Sequence, residues 1–183
     1  MMSLSLSIKP VHCFGLKGAG SVEWLMNQGV SVPALPNCYG VFGEQGVIAR
    51  LAYTEFYFDD VNRQSSQTLQ SLLGKGVQVA SGGVYPVCRD DVVLQLSGSL
   101  AHALLAQVCS FHFAAWDITG QPLIMTSMVG VSVIILPLHG RSNDAGQGNE
   151  PTYQVVCDPS LAVYLEKTLR EVMQDTLQEH ALI

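Results

Sequence analysis

Three side chains able to hold a soft metal, His102, Cys109 and His112, fall within eleven positions of one another. On a helix His102 and Cys109 stand two turns apart on one face, and zinc accepts nitrogen and sulfur ligands. That same face carries the apolar stripe Ala101, Leu104, Leu105 and Val108. No tight ligand spacing completes a tetrahedron, so a buried histidine and thiol beside a core are expected there, and no metal site is assigned. The carboxylate pairs Asp59-Asp60 and Asp90-Asp91 are adjacent in sequence, so on a strand their side chains leave on opposite faces and cannot share a proton. Gly15, Gly18 and Gly20 lie where backbone amides at a helix start could receive an anion, but their order is G-x-x-G-x-G and not the dinucleotide spacing. A tight turn with close packing is the expected reading. Trp24 and Trp116 are expected to anchor a core or an interface. Nucleophile elbow, Walker loop, H-E-x-x-H and C-x-x-C are all missing from the sequence, and no catalytic residue is assigned.

The elements that would position these residues belong to a chain of 183 residues, long enough to bury about 70% of its extended surface without disulfide staples. Hydrophobic residues make up 48% and charged residues only 13%, which excludes intrinsic disorder and leaves a surface poor in charge that invites a partner. A net charge of -6 without a basic cluster argues against nucleic acid. Met1 to Ser7 carries no basic leader, and the most apolar run, Met128 to Leu138, is too short to cross a bilayer, so a cytoplasmic protein with no membrane partner is expected. Cys13, Cys38, Cys88, Cys109 and Cys157 are odd in number and widely spaced, as expected of reduced, mostly buried thiols.

Val11 to Lys17 reads as a strand, followed by a glycine turn and a helix through Val22, Leu25 and Met26. Val30 to Gly46 reads as an extended loop rich in proline and glycine, then Val47 to Leu51 and Glu55 to Phe58 as a hairpin. Asp59 or Asp60 is expected to cap a helix reaching Leu73. After a glycine-rich link, Asp91 to Leu96 is a strand, Ser97 or Ser99 a helix cap, and Leu123 to Thr126 and Gly130 to Leu136 two more strands. His139 to Pro151 reads as a hairpin tip and Tyr153 to Cys157 as a strand. Asp158-Pro159 then starts a long helix whose buried face is Leu161, Leu165, Leu169, Val172 and Met173.

The halves echo each other: Leu16, Gly18 and Leu25 recur 80 positions later as Leu96, Gly98 and Leu105, and Asp60 and Asp158 each precede a last helix. The expected class is α+β, two related small α/β sandwich units with mostly antiparallel sheets, over 1–80 and 84–183 and tightly packed.

Four segments in order then resemble one family. They are Phe14 to Gly20 with Trp24-Leu25, Val32-Pro33-Ala34-Leu35-Pro36-Asn37, Arg50 to Phe56, and Val92 to Leu105. The chain resembles the gamma subunit of heterotetrameric sarcosine oxidase, in the superfamily that holds the folate-binding domain of the glycine-cleavage T-protein. Arg50, Leu51 and Glu55 fall on that family's arginine, leucine and acidic positions, and the likeness covers about residues 12 to 172. The sequence departs from its relatives at Ala52-Tyr53-Thr54 and at Tyr85-Pro86-Val87-Cys88.

The resemblance implies a noncatalytic small subunit of an oxidoreductase complex in one-carbon metabolism, with FAD, FMN and NAD on larger partner subunits. An alternative is a folate- or pterin-binding module related to aminomethyltransferases, taking tetrahydrofolate with Arg50 and Glu55 as the ligand-binding candidates. A third is a homo-oligomer using the final helix as its interface.

Overall fold

The computed structural model describes residues 2–61, 83–138 and 150–181. Ten strands and three α-helices alternate along them. The strands are β1 Ser5–Lys9, β2 His12–Lys17, β3 Cys38–Phe42, β4 Gly46–Ala52, β5 Glu55–Asp60, β6 Tyr85–Cys88, β7 Val92–Ser97, β8 Ile124–Met128, β9 Val131–Pro137 and β10 Thr152–Cys157. The helices are α1 Ser21–Asn27, α2 Ala101–Val108 and α3 Pro159–Ala181, with a 3-10 turn at Phe113–Ala115. The class is α+β with two antiparallel five-stranded sheets, as the sequence leads one to expect.

Contacts divide the chain into a unit of Met1–Lys9, Asp91–Thr119 and Ile124–Ile183, and a unit of Pro10–Asp90 with Gly120–Leu123. The N-terminal strand, grouped by the sequence with the first half, thus lies in the sheet of the second. The sheet orders are β1-β7-β10-β9-β8 and β6-β2-β5-β4-β3. They are the same order once β1 is matched to β6, β2 to β7 and so on. The chain repeats itself in register: β1 and β6 begin at 5 and 85, β2 and β7 at 12 and 92, α1 and α2 at 21 and 101, always 80 apart. The edge strands are exchanged. β1 precedes β2 but pairs with β7, and β6 precedes β7 but pairs with β2.

The turn after the first long strand shows why the echo in the sequence is conserved in shape. Gly18 and Gly98 have φ of 123° and 133°, a region closed to side chains. A Cβ on Gly18 would overlap the Gly83 carbonyl, and one on Gly98 the Ser3 carbonyl. Each glycine then accepts from the first helical amide, Ser21 N–H at 3.0 Å and Ala101 N–H at 3.1 Å. The start of α2 therefore needs no side-chain cap: neither Ser97 nor Ser99 caps it, and Ser99 exchanges hydrogen bonds with Ser3.

One sheet buries a face under α2 and α3, and the other packs a face against Leu25 of α1. Around α2 and α3 the core is Leu6, Leu94, Leu96, Leu104, Leu105, Val133, Ile135, Tyr153, Leu165 and Leu169. The spacing Ala162, Leu165, Leu169 is one stripe of α3, and Leu161 of the expected stripe stands 43% exposed. As expected, Asp158 caps α3: its Oδ1 accepts from the Ser160 hydroxyl and from Ser160 N–H at 2.8 Å, and these bonds, the hydroxyl's first, hold its carboxyl below the usual range. The other core packs Phe14, Leu16, Leu25, Phe42, Ile48, Phe56 and Phe58, with Phe14 and Phe58 stacked at 4.5 Å. Trp24 packs against this cluster and Trp116 against the first.

Three strands depart from the sequence reading. β3 lies inside the expected loop 30–46, since Cys38 to Phe42 pairs with β4 despite the surrounding prolines and glycines. β1 and β6 are short edge strands absent from the sequence reading: Ser3 to Lys9 alternates polar and apolar residues at the strand period, whereas β6 carries Pro86 and shows little periodicity. Asp59 and Asp60 end β5, and Asp59 Oδ1 accepts from Val47 N–H at 2.8 Å. The expected helix to Leu73 and the hairpin tip 139–149 lie outside the described residues.

Candidate functional site

The candidate residue Arg50 sits in β4, opposite Phe56 of β5. Its guanidinium lies 5.7 Å from the Phe56 ring centroid, and Nη1 donates to the carbonyls of Pro33 at 2.9 Å and Ala34 at 2.7 Å. Nη2 donates to the Tyr53 carbonyl at 2.8 Å. The planar fork thus ties the Pro33-Ala34 loop to the β4–β5 turn, a task a lysine cannot copy.

Glu55, the other candidate, opens β5. Side chains alternate along a strand, so Glu55 and Tyr57 leave on the face opposite Phe56 and Arg50. The structure therefore does not bring Arg50 and Glu55 together. It brings Glu55 to Arg89, at 3.7 Å with side chains 41% and 20% exposed. Arg89 stacks 5.5 Å over the ring of Tyr57, whose hydroxyl lies 3.3 Å from the Cys13 thiol. Gly15 faces Tyr57 across the ladder. A Cβ there would come 2.9 Å from the Val87 side chain and 3.3 Å from Arg89 Nε, so the absent side chain makes room for the guanidinium. Cys13, Tyr57, Arg89 and Glu55 thus form one polar row on one face of this sheet. Arg89 was missed by sequence reasoning because a lone arginine after a four-residue edge strand has no spacing to announce it.

In the other unit His102 Nε2 shares a hydrogen bond of 2.7 Å with the Tyr153 hydroxyl. Burial pushes the Tyr153 phenol up to about 12, so it keeps its proton at neutral pH. Phe113 meets Tyr153 edge-on at 5.5 Å, and Phe111, Phe113 and Trp116 contact one another edge to face. Cys109 is within 3.9 Å of the Thr126 hydroxyl, and His112 is exposed. His102, Cys109 and His112 do not converge, and among the described residues no cluster of three metal-ligating side chains occurs. Asp90 is exposed and Asp91 half-buried at the start of β7. The turn through Gly15, Gly18 and Gly20 serves packing: Gly18 N–H donates to the Thr54 carbonyl at 3.0 Å.

This geometry can be compared with known proteins. No family model matches the sequence, and no curated protein matches it in sequence. Solved structures do. A chain of heterotetrameric sarcosine oxidase from Corynebacterium sp. U-96, solved with pyrrole 2-carboxylate, superposes over 94% of this chain and 85% of its own with a TM-score of 0.66 and 20% identity. The chain shares that fold. The glycine cleavage system aminomethyltransferase T from Bartonella henselae matches 92% of this chain with a TM-score of 0.62 and 15% identity, and this chain spans 45% of it. The sarcosine-oxidase and T-protein likeness carried by the motifs is therefore also a likeness of fold. Among the described residues no helix is long and apolar enough to cross a membrane.

Proposed function

We propose that this chain is a noncatalytic small subunit, gamma-like, of a heteromeric sarcosine-oxidase-like flavoenzyme that works in cytoplasmic one-carbon metabolism. The observation that carries the reading is the extent of the fold match, nearly the whole of this chain on most of one chain of a heterotetrameric sarcosine oxidase. The charge-poor composition agrees, because a surface with 13% charged residues suits a chain covered by others. So does the state of the polar side chains, since Arg50 is committed to three backbone carbonyls and Arg89 to Glu55 and Tyr57. FAD, FMN and NAD then belong to larger partner subunits. The test is co-expression with larger flavoenzyme subunits followed by native mass and visible absorbance. Co-purification in a yellow complex supports the reading, and absence of affinity for any such subunit overturns it.

The fold shared with the aminomethyltransferase favours a second reading, a folate- or pterin-binding module. Here the partly exposed Glu55 would meet the pterin edge and Arg89 an anionic group, with Arg50 holding the neighbouring loop on the other face. Calorimetric titration with a reduced folate decides it: heat that Glu55→Gln weakens supports this reading, and absence of heat at high ligand concentration rejects it.

A further inference from the structure

The two sheets present four edges, and three are guarded. β3 is bridged at Cys38 by Pro122, β6 contains Pro86 and runs into Arg89, and β1 ends in Lys9. The fourth is β8. It pairs with β9 in unbroken register from Ile124–Ile135 to Met128–Val131, and among the described residues no strand lies along its outer side. It has no proline, no bulge and no lysine, and no charged residue occurs from Ile118 to Leu138. Natural sheets use those devices because an open row of N–H and C=O groups is a template for another strand.

The edge also carries apolar side chains on both faces. Met125, of opposite parity to the core-facing Ile124 and Met128, is 52% exposed. At the β8–β9 turn Tyr164 of α3 donates to the Val129 carbonyl at 3.2 Å, and it and Leu161 are exposed. The first turns of α3, Pro159 to Leu165, carry no charge, while Glu166 onward is rich in it.

We propose that β8 is a self-association edge, pairing antiparallel with β8 of a second copy of this chain about a two-fold axis at Thr126. Thr126 then faces its own counterpart, Met125 faces Ser127, and Ile124 faces Met128. The occupant follows from the charge pattern. Self-pairing about that axis sets Thr126 opposite itself and Met125 and Ser127 diagonal to their own mates, so a charge at any of the three would meet its own sign, and a centre free of charge is what the arrangement requires. A second copy also supplies what the edge lacks, an uncharged extended strand with an open side. Five paired residues alone fall short of the roughly 1,200 Å² that specific interfaces bury, so Met125, Leu161 and Tyr164 extend the contact. This interface centres on the sheet edge, with the final helix as its flank, and it is independent of the flavoenzyme reading.

The test is the solution mass of the full chain across a dilution series, with backbone hydrogen exchange at 124–128. A dimer that dissociates on dilution, with β8 amides more protected when concentrated, is expected. Ser127→Lys, on the edge, should give a folded monomer. Ser132→Lys, on the same face one strand inward and paired with Ser127, should leave the dimer intact. A monomer at every concentration overturns the proposal, as does a dimer indifferent to Ser127→Lys. Should Ser127→Lys fail to fold, hydrogen exchange on the unmodified chain decides: β8 protection that does not change with concentration overturns it.

Discussion

The Nε2 of His102 and the hydroxyl of Tyr153 lie 2.7 Å apart, joining α2 to the central part of its sheet. Tyr153 is 1% exposed, and its pKa stands near 12 against an ordinary value of about 10. The folded state therefore holds this proton more tightly than the unfolded chain does. The contribution is fully present below about pH 10 and is lost as pH rises through about 12. Denaturation midpoints measured from neutral to strongly alkaline pH should fall across that window. Tyr153→Phe should cost about 1 kcal/mol at neutral pH and flatten the alkaline limb.

Arg50 and Glu55 should separate cleanly by stability. Arg50→Lys and Arg50→Met remove a fork that satisfies three carbonyls, and each should lower unfolding free energy by about 2–3 kcal/mol in urea titrations. Glu55→Gln, at an exposed and loose ion pair, should change it by no more than about 0.5 kcal/mol. Equal losses for the two would contradict the assignment of Arg50 as the loop's clip.

Gly18→Ala and Gly98→Ala test the repeat. Both place a Cβ against a backbone carbonyl at positive φ. Each should cost at least about 2 kcal/mol, and the two costs should be similar because the turns are copies. Thermal unfolding with matched circular dichroism measures both.

The five thiols should sort by burial in an alkylation time course. Cys88 is exposed and should react first, then Cys38, while Cys13, Cys109 and Cys157 should react only on unfolding. Cys157 should be the slowest to form a thiolate: burial, with Asp91 and Asp158 nearby, pushes its pKa to about 11. Between about pH 9 and 11 its retained proton adds a further loss of stability as pH rises, in the same direction as Tyr153.

Much of the architecture was legible because it rests on local rules. The continuous apolar run Val92 to Leu94, the Asp158-Pro159 start of α3 and the recurrence of Leu16, Gly18 and Leu25 at 96, 98 and 105 all report short-range constraints, so they survive in one dimension. β3 and β6 did not, because a short edge strand is defined by the strand it meets; β1 does alternate from Ser3 to Lys9, but its place in the sheet rests on residues nearly ninety positions away. The caps went wrong at Ser97 and Ser99 for a similar reason: Ser3, remote in sequence, takes the Ser99 hydroxyl.

The candidate site divides along the same line. Sequence alone determined that the chain is a charge-poor, repeated α+β protein without the signature of a known catalytic machine, because composition, periodicity and glycine turns are properties of the chain itself. Tertiary structure decided which polar groups meet. It put Arg50 and Glu55 on opposite faces of one sheet, since strand parity and a cross-strand partner govern direction, and it joined Glu55 to Arg89 and Tyr57 to Cys13. It also decided which strands form the edges of each sheet, a matter of strand order that no local pattern encodes.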